Sequence, residues 1–207
     1  MPNNTFFNLP KEKQQTLIKA AKKEFSRVSL YEASISNIIK DANIPRGSFY
    51  QYFNDKEDIF FYLLDENSNE TREKFKEKLK ETNGNIFDTF MAMFRLALEN
   101  LNKEGNRKFF RNAFLYMNHK IENALTHNEN NEEFNRYFKE ISSLIDRDLL
   151  NIQDESEIYH IWQILTAIMI RNIIQQFVKN LNQEQTINNF TTELELVKRG
   201  LYKEPTL

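Results

Sequence analysis

The chain has no cysteine, and its 4 glycines and 4 prolines in 207 residues are together about a third of ordinary usage. Without cysteine there is no disulfide framework, no thiolate zinc site and no thiol nucleophile, and a reducing compartment is the expected address. So few turn formers argue against a β sandwich or barrel. Gly47, Gly84, Gly105 and Gly200 stand far apart, so neither a G-x-G-x-x-G turn nor a Walker A loop can be built. Long apolar runs are missing too: the longest, residues 161–174, is interrupted by Gln163 and Arg171. The first ten residues lack the basic start and apolar stretch of a signal peptide, so a soluble, cytoplasmic protein without a membrane partner is expected. His119, His127 and His160 show neither H-E-x-x-H spacing nor a neighbouring carboxylate pair, and there is no serine elbow. No catalytic residue, metal ligand or cofactor is expected.

What the chain does have is apolar bulk and an uneven charge. It is 40% hydrophobic with 18 phenylalanines, ample for a packed core in one or two domains. The net charge of −2 gives no general affinity for nucleic acid. Residues 1–56, however, carry nine basic against five acidic side chains, a net of +4, and the remaining 151 hold 19 against 25, a net of −6. A positive head on a negative body suggests that one end meets a polyanion.

Helical periodicity runs almost throughout. Leu17, Ala21, Phe25 and Val28 share one face of a helix over about 11–27, following Pro10. Ser34 precedes Ile35, Ile38, Ile39 and Ala42 as an N-cap precedes a short amphipathic helix. Asn43 suits the left-handed turn that ends it, and Pro45 opens the next helix in its first turn. That helix, residues 46–53, turns Phe49 and Phe53 inward. Outward it presents Arg46, Ser48, Tyr50, Gln51 and Tyr52, donors and aromatics in place of the usual Glu and Lys. Asp55, with Asp58 three residues on, reads as the N-cap and capping box of a further helix. Two short helices separated by a tight turn and braced by a longer one make a helix-turn-helix unit.

Residues 16–64, and most specifically 43–53 followed by Asp55, Lys56, Glu57 and Asp58, resemble the N-terminal DNA-binding domain of the TetR family of bacterial transcriptional regulators. Asn43 stands for the family's turn glycine, Pro45 for a small residue, Arg46 for lysine and Phe49 for an aliphatic residue, all mild departures. The resemblance covers about a quarter of the chain. It implies an all-α fold: a three-helix helix-turn-helix domain joined by a long fourth helix to a helical-bundle domain for effector binding and dimerisation. On this reading residues 1–58 bind double-stranded DNA and residues 59–207 bind the effector and the second subunit.

Gly47, lacking a side chain, would let the backbone approach a duplex closely; the alternative is a packing glycine. Arg46 and Gln51 suit guanine and adenine edges in the major groove. Tyr50 and Tyr52 are implied phosphate contacts, with Tyr52 packing inward as the alternative. Lys56, in the first turn of its helix, would clamp a phosphate. Ser34 and Ser36 offer hydroxyls and free N–H groups at a helix start, Ser34 being a structural cap first. Pro45 and Ser48 complete the expected DNA-contacting set.

Beyond Asp55 the next helix is expected to run to about residue 80, with Glu70–Lys74 and Glu73–Lys76 pairs, and a domain boundary at 82–85 around Gly84. Further helices are expected at 86–101, 108–125, 132–150, 155–181 and 184–201. Phe90, Phe94, Phe110, Phe114 and Met117 lie on core stripes, and their large adaptable side chains also suit an apolar effector pocket. Residues 158–174 are apolar around nearly the whole helix circumference, so burial on two sides is expected, one of them a two-fold interface of the kind the resemblance implies. Trp162 fits either that interface or the pocket. Arg171 is paired across the interface, snorkels, or anchors an acidic effector group.

The resemblance implies a homodimeric repressor on a palindromic operator, released by a small, largely apolar effector. The alternative is a DNA-bound scaffold that recruits a protein partner without a small-molecule switch.

Overall fold

Eleven helices and no strand occur among the described residues of this computed structural model, namely 2–65, 68–103, 105–115 and 132–201. The chain forms two compact units. The first takes residues 1–69 together with 101–125, and the second 70–100 together with 126–207.

The first unit contains α1 (Asn4–Phe7), α2 (Lys11–Arg27), α3 (Ile35–Ala42), α4 (Arg46–Tyr52), α5 (Lys56–Asp65) and α8 (Asn106–Leu115). The expected stripe on α2 is its buried face: Leu17, Ala21 and Phe25 are all removed from water. Phe25 sets its ring edge-on to Phe60 of α5 at 5.1 Å, and Phe60 meets Phe109 of α8 at 5.6 Å. Each such ring contributes about 1.5–3 kcal/mol by burial. The turn after α3 follows its sequence closely. Asn43 takes the left-handed conformation (φ 52°, ψ 48°), and the N–H groups of Asn43 and Ile44 close on the carbonyls of Lys40 and Ile39, a Schellman arrangement. Pro45 sits one place earlier than expected, as the N-cap of α4 with its carbonyl accepting the Ser48 N–H at 3.0 Å, so Arg46 is the first helical residue. Asp55 caps α5 by accepting the Asp58 N–H at 2.8 Å, and Asp58 reaches back to the Asn54 N–H at 3.1 Å.

The second unit holds α6 (Ser68–Glu81) from Glu70 onward, α7 (Ile86–Asn102) up to Asn100, α9 (Glu132–Leu144), a 3-10 turn (Arg147–Leu149), α10 (Glu157–Val178) and α11 (Gln183–Leu201). The stretch 59–80, expected as one helix, is α5 and α6, with residues 66 and 67 outside the described residues. Both expected charge pairs form, Glu70–Lys74 at 2.5 Å and Glu73–Lys76 at 2.6 Å. The break at 82–85 is a tight turn inside the second unit and not a boundary between units. There Asn85 caps α7, and Gly84 (φ 79°) lies so close to the segment after α9 that its carbonyl accepts the Asp146 N–H at 3.0 Å. This bond explains why α9 stops at Leu144 when the periodicity continues to residue 150. Asp146 is held by Gly84 and caps the 3-10 turn through its own side chain, accepting from the Asp148 N–H at 3.0 Å.

Candidate nucleic-acid interface

α4 is seven residues long and has no acidic side chain. Phe49 and Phe53 are fully buried and fix its azimuth, which leaves Arg46, Gly47, Tyr50 and Gln51 exposed on one side. Arg46 lies over the Tyr50 ring, 5.9 Å from its centroid, and its guanidinium reaches the Tyr50 hydroxyl at 3.5 Å. Such a stack holds a flexible cation in an extended pose at small entropic cost. A Cβ built on Gly47 meets nothing within 4 Å, so this glycine is not required by packing and marks an open place on the outer face. Ser48 and Tyr52 are half-buried, and the Tyr52 ring lies 6.5 Å from Phe6, so the inward alternative holds for part of this side chain.

Two expectations at the edges of this face change in detail. The Ser34 side chain makes no cap hydrogen bond; the Ser34 N–H instead donates to Oε1 of Glu24 at 2.9 Å. Ser34 remains the N-cap residue of α3, anchored to α2 through its own N–H, while Ser36 is exposed in the first turn of α3. Lys56 is also engaged within the chain. Its ammonium donates to the carbonyls of Tyr31 at 2.6 Å and Ala33 at 3.0 Å, tying the start of α5 to the loop that leads into α3. A lysine ammonium has three N–H donors, so one remains.

The carboxylate that organises this corner is Glu24, 5% exposed. Arg27 donates to both of its oxygens, at 2.9 and 2.8 Å, and Asn37 of α3 adds a third donor side at 3.0 Å beside the Ser34 N–H. The Arg27 guanidinium, helped by Ser34 and Asn37 and opposed by burial, lowers the Glu24 carboxyl from 4.5 to about 2. Glu24 thus sets the position of α3 from inside α2. Its place on the apolar face, between Ala21 and Phe25, was the available signal. The second unforeseen element is α1. The Asn3 N–H donates to the Tyr52 carbonyl at 2.8 Å and the Asn3 side-chain amide to the Gln51 carbonyl at 3.4 Å, satisfying free carbonyls at the end of α4. Phe6 is buried against Phe53 at 5.0 Å and Tyr62 at 5.4 Å.

The residues expected to line an effector pocket fall in both units. In the second, Phe90 meets Trp162 at 5.3 Å, Phe75 meets Trp162 at 4.7 Å, and Phe94 stacks on Phe190 at 4.0 Å. Phe110 and Phe114 stack at 6.0 Å within α8 of the first unit, and Met117 lies outside the described residues. Arg171 is exposed and forms an ion pair with Glu193 of α11 in its own chain. Glu193 also accepts from the buried Asn172 at 2.7 Å, so this carboxylate clips α10 to α11.

Comparison with known proteins finds matches to an N-terminal and a C-terminal stretch of the chain. A family profile described as bacterial regulatory proteins of the tetR family matches residues 17–63, and one described as the tetracyclin repressor-like C-terminal domain matches residues 85–201. The HTH-type transcriptional regulator YdgC of Bacillus subtilis is 36% identical over 88 residues, 42% of this chain and 45% of that protein. The HTH-type transcriptional repressor NemR of Escherichia coli is 30% identical over 71 residues, 34% of this chain and 36% of that protein. The match thus spans less than half the length of these curated relatives. Among solved structures, NalD, the secondary repressor of the MexAB-OprM multidrug efflux pump in Pseudomonas aeruginosa, superposes with a TM-score of 0.64 at 19% identity, covering 95% of this chain and 98% of that one. A TetR-family regulator from Pectobacterium atrosepticum gives 0.61 at 17% identity, covering 95% and 97%. At these identities the superpositions speak for the fold, while the two profiles together take in most of the chain: it belongs to the TetR family of transcriptional regulators, with a DNA-binding helix-turn-helix head and an all-helical C-terminal domain.

Proposed function

We propose that the protein is a homodimeric repressor that binds a palindromic operator in the cytoplasm and leaves it when a small, largely apolar effector binds within residues 59–207. The observation that carries this reading is the outer face of α4, where Arg46, Tyr50 and Gln51 surround an open Gly47 without a single carboxylate. Arg46 and Gln51 supply the donors that suit guanine and adenine edges. Ser34, Ser36, Pro45, Ser48, Tyr50, Tyr52 and the remaining donor of Lys56 flank them toward the phosphates. Two such helices in a two-fold dimer would enter successive major grooves about 34–36 Å apart, or a multiple of that.

Dimerisation is supported by exposed apolar side chains on the last two helices. Ile164 and Val178 of α10 are 44% and 54% exposed, and Leu196 of α11 is 59% exposed. The repressor assignment draws on NemR and NalD, both described as repressors.

The test is a gel shift on the region upstream of the protein's own gene, with Gly47→Ala and Gln51→Ala. Nothing lies near Gly47, so Gly47→Ala keeps the fold and favours the helix by about 0.5–1 kcal/mol. Both variants are expected to lose specific binding, Gln51→Ala by about 1–3 kcal/mol. Unchanged binding in both would assign the wrong face.

A further inference from the structure

The first unit carries a second concentration of positive charge, on helices that take no part in the α3–α4 face. Between α2 and the start of α8 lies an open cleft of about 460 Å³, lined among the described residues by Lys19, Lys22, Lys23, Arg27 and Lys108 and by no carboxylate. That volume lies within the range of small-molecule sites, roughly 300–1,000 Å³. We propose that this cleft binds a small polyanion carrying at least two phosphate or carboxylate groups.

Charge pairing among the described residues leaves the cleft with a net positive charge. Arg27 is taken up by Glu24, and Lys23 by Asp41 at 2.7 Å. Lys22 donates to the neutral side-chain oxygen of Asn106, which fixes its ammonium across the cleft without cancelling its charge. Lys19 and Lys108 have no partner among the described residues. Three positive charges therefore face one concavity. On α2 the spacing makes matters worse for the free protein, since Lys19 lies three and four residues from Lys22 and Lys23, and like charges at those separations repel. A ligand with one negative charge would leave most of that repulsion in place, whereas two or more would offset it and draw charge-assisted hydrogen bonds from all three ammonium groups.

The cleft is open to solvent and stands apart from the α3–α4 face. Gly105, at φ 81°, adds no side chain to the cleft wall, and nothing lies within 4 Å of where its Cβ would be. The Ser26 hydroxyl donates to the Gly105 carbonyl at 3.4 Å, joining the two walls. Lysine side chains carry methylene stems that offer apolar surface to a ligand's carbon skeleton. None of the lining residues belongs to α3 or α4. A ligand here would bridge α2 to α8, and its binding does not depend on the operator-binding reading above.

The experiment is isothermal titration calorimetry of the full chain with sodium pyrophosphate at low ionic strength, on wild type, Lys19→Ala/Lys108→Ala and a control of equal charge, Lys74→Ala/Lys78→Ala in α6. The expected result is saturable binding of one pyrophosphate per chain, weakened about tenfold or more by the cleft variant and unchanged by the control. Single Lys19→Gln and Lys108→Gln variants, each expected to weaken binding in part, provide the same reading if the double variant does not fold. Absence of saturable binding, or equal loss in cleft variant and control, overturns the proposal. So does a non-operator duplex that displaces pyrophosphate and loses affinity in the same proportion on Lys19→Ala/Lys108→Ala, because the cleft would then be a DNA contact.

Discussion

Replacing Glu24 by Gln removes one negative charge from a buried, heavily hydrogen-bonded carboxylate while leaving its volume nearly unchanged. In the wild type, four donor contacts converge on this side chain, from Arg27 twice, Ser34 and Asn37. Lowering a carboxyl from 4.5 to about 2 corresponds to about 3 kcal/mol of preference for the charged, folded form. Water around Arg27, which is 56% exposed, screens part of that, so about 2 kcal/mol is the magnitude to expect. For a chain of this length this is a fall in Tm of about 4–8 °C at pH 7. The sign follows from the folded-state value lying below the unfolded one. The stabilisation is present in full above about pH 4.5 and is lost as the pH falls toward 2. Urea unfolding followed by far-ultraviolet circular dichroism, on wild type and Glu24→Gln at pH 7 and pH 3, measures it. The gap between the two proteins should be largest at pH 7 and shrink to less than half at pH 3. A gap of the same size at both values would refute the reasoning, since it would come from packing and not from the charge.

Two further outcomes follow from named contacts. Gly84→Ala would place a Cβ 2.5 Å from the Asp146 nitrogen and 2.7 Å from the Leu144 carbonyl oxygen, at a φ of 79° that L residues avoid. It should cost about 1–3 kcal/mol or more, seen as a lower Tm; an unchanged Tm would mean that the turn does not pin the end of α9. Phe6→Ala should cost about 3–5 kcal/mol if α1 is part of the cooperative core. Loss of DNA binding without loss of stability would instead mean that α1 only steadies α4.

The helix-turn-helix was legible because its signals are local. A stripe of Leu17, Ala21 and Phe25, an Asn able to adopt positive φ at position 43 and a proline at 45 act within a few residues of one another, and the backbone follows them. What was missed depends on partners distant in sequence. Ser34 is the N-cap of α3, yet its side chain makes no cap bond, and its N–H is held by Glu24, ten residues earlier. α9 has the periodicity to continue, but Gly84 captures Asp146 and ends it. For Arg171 the sequence leaves interface pairing, snorkelling and an effector anchor open; the side chain is exposed, and its partner is Glu193, 22 residues on in the same chain. α1, at four residues, is too short to show any period, and it exists because Phe6 finds a place among Phe53 and Tyr62.

The division of α4 into two faces bears on how such a protein changes over generations. Phe49 and Phe53 hold the helix, and substitutions there disturb a packed interior. Arg46, Gly47, Tyr50 and Gln51 project from the other side, with free space beside Gly47. After a gene duplication, one copy can therefore accumulate replacements at the outward positions while its fold stays intact. Where that face reads the operator as proposed, target preference and folding diverge along independent axes, and a lineage can explore new binding sequences without passing through an unfolded ancestor.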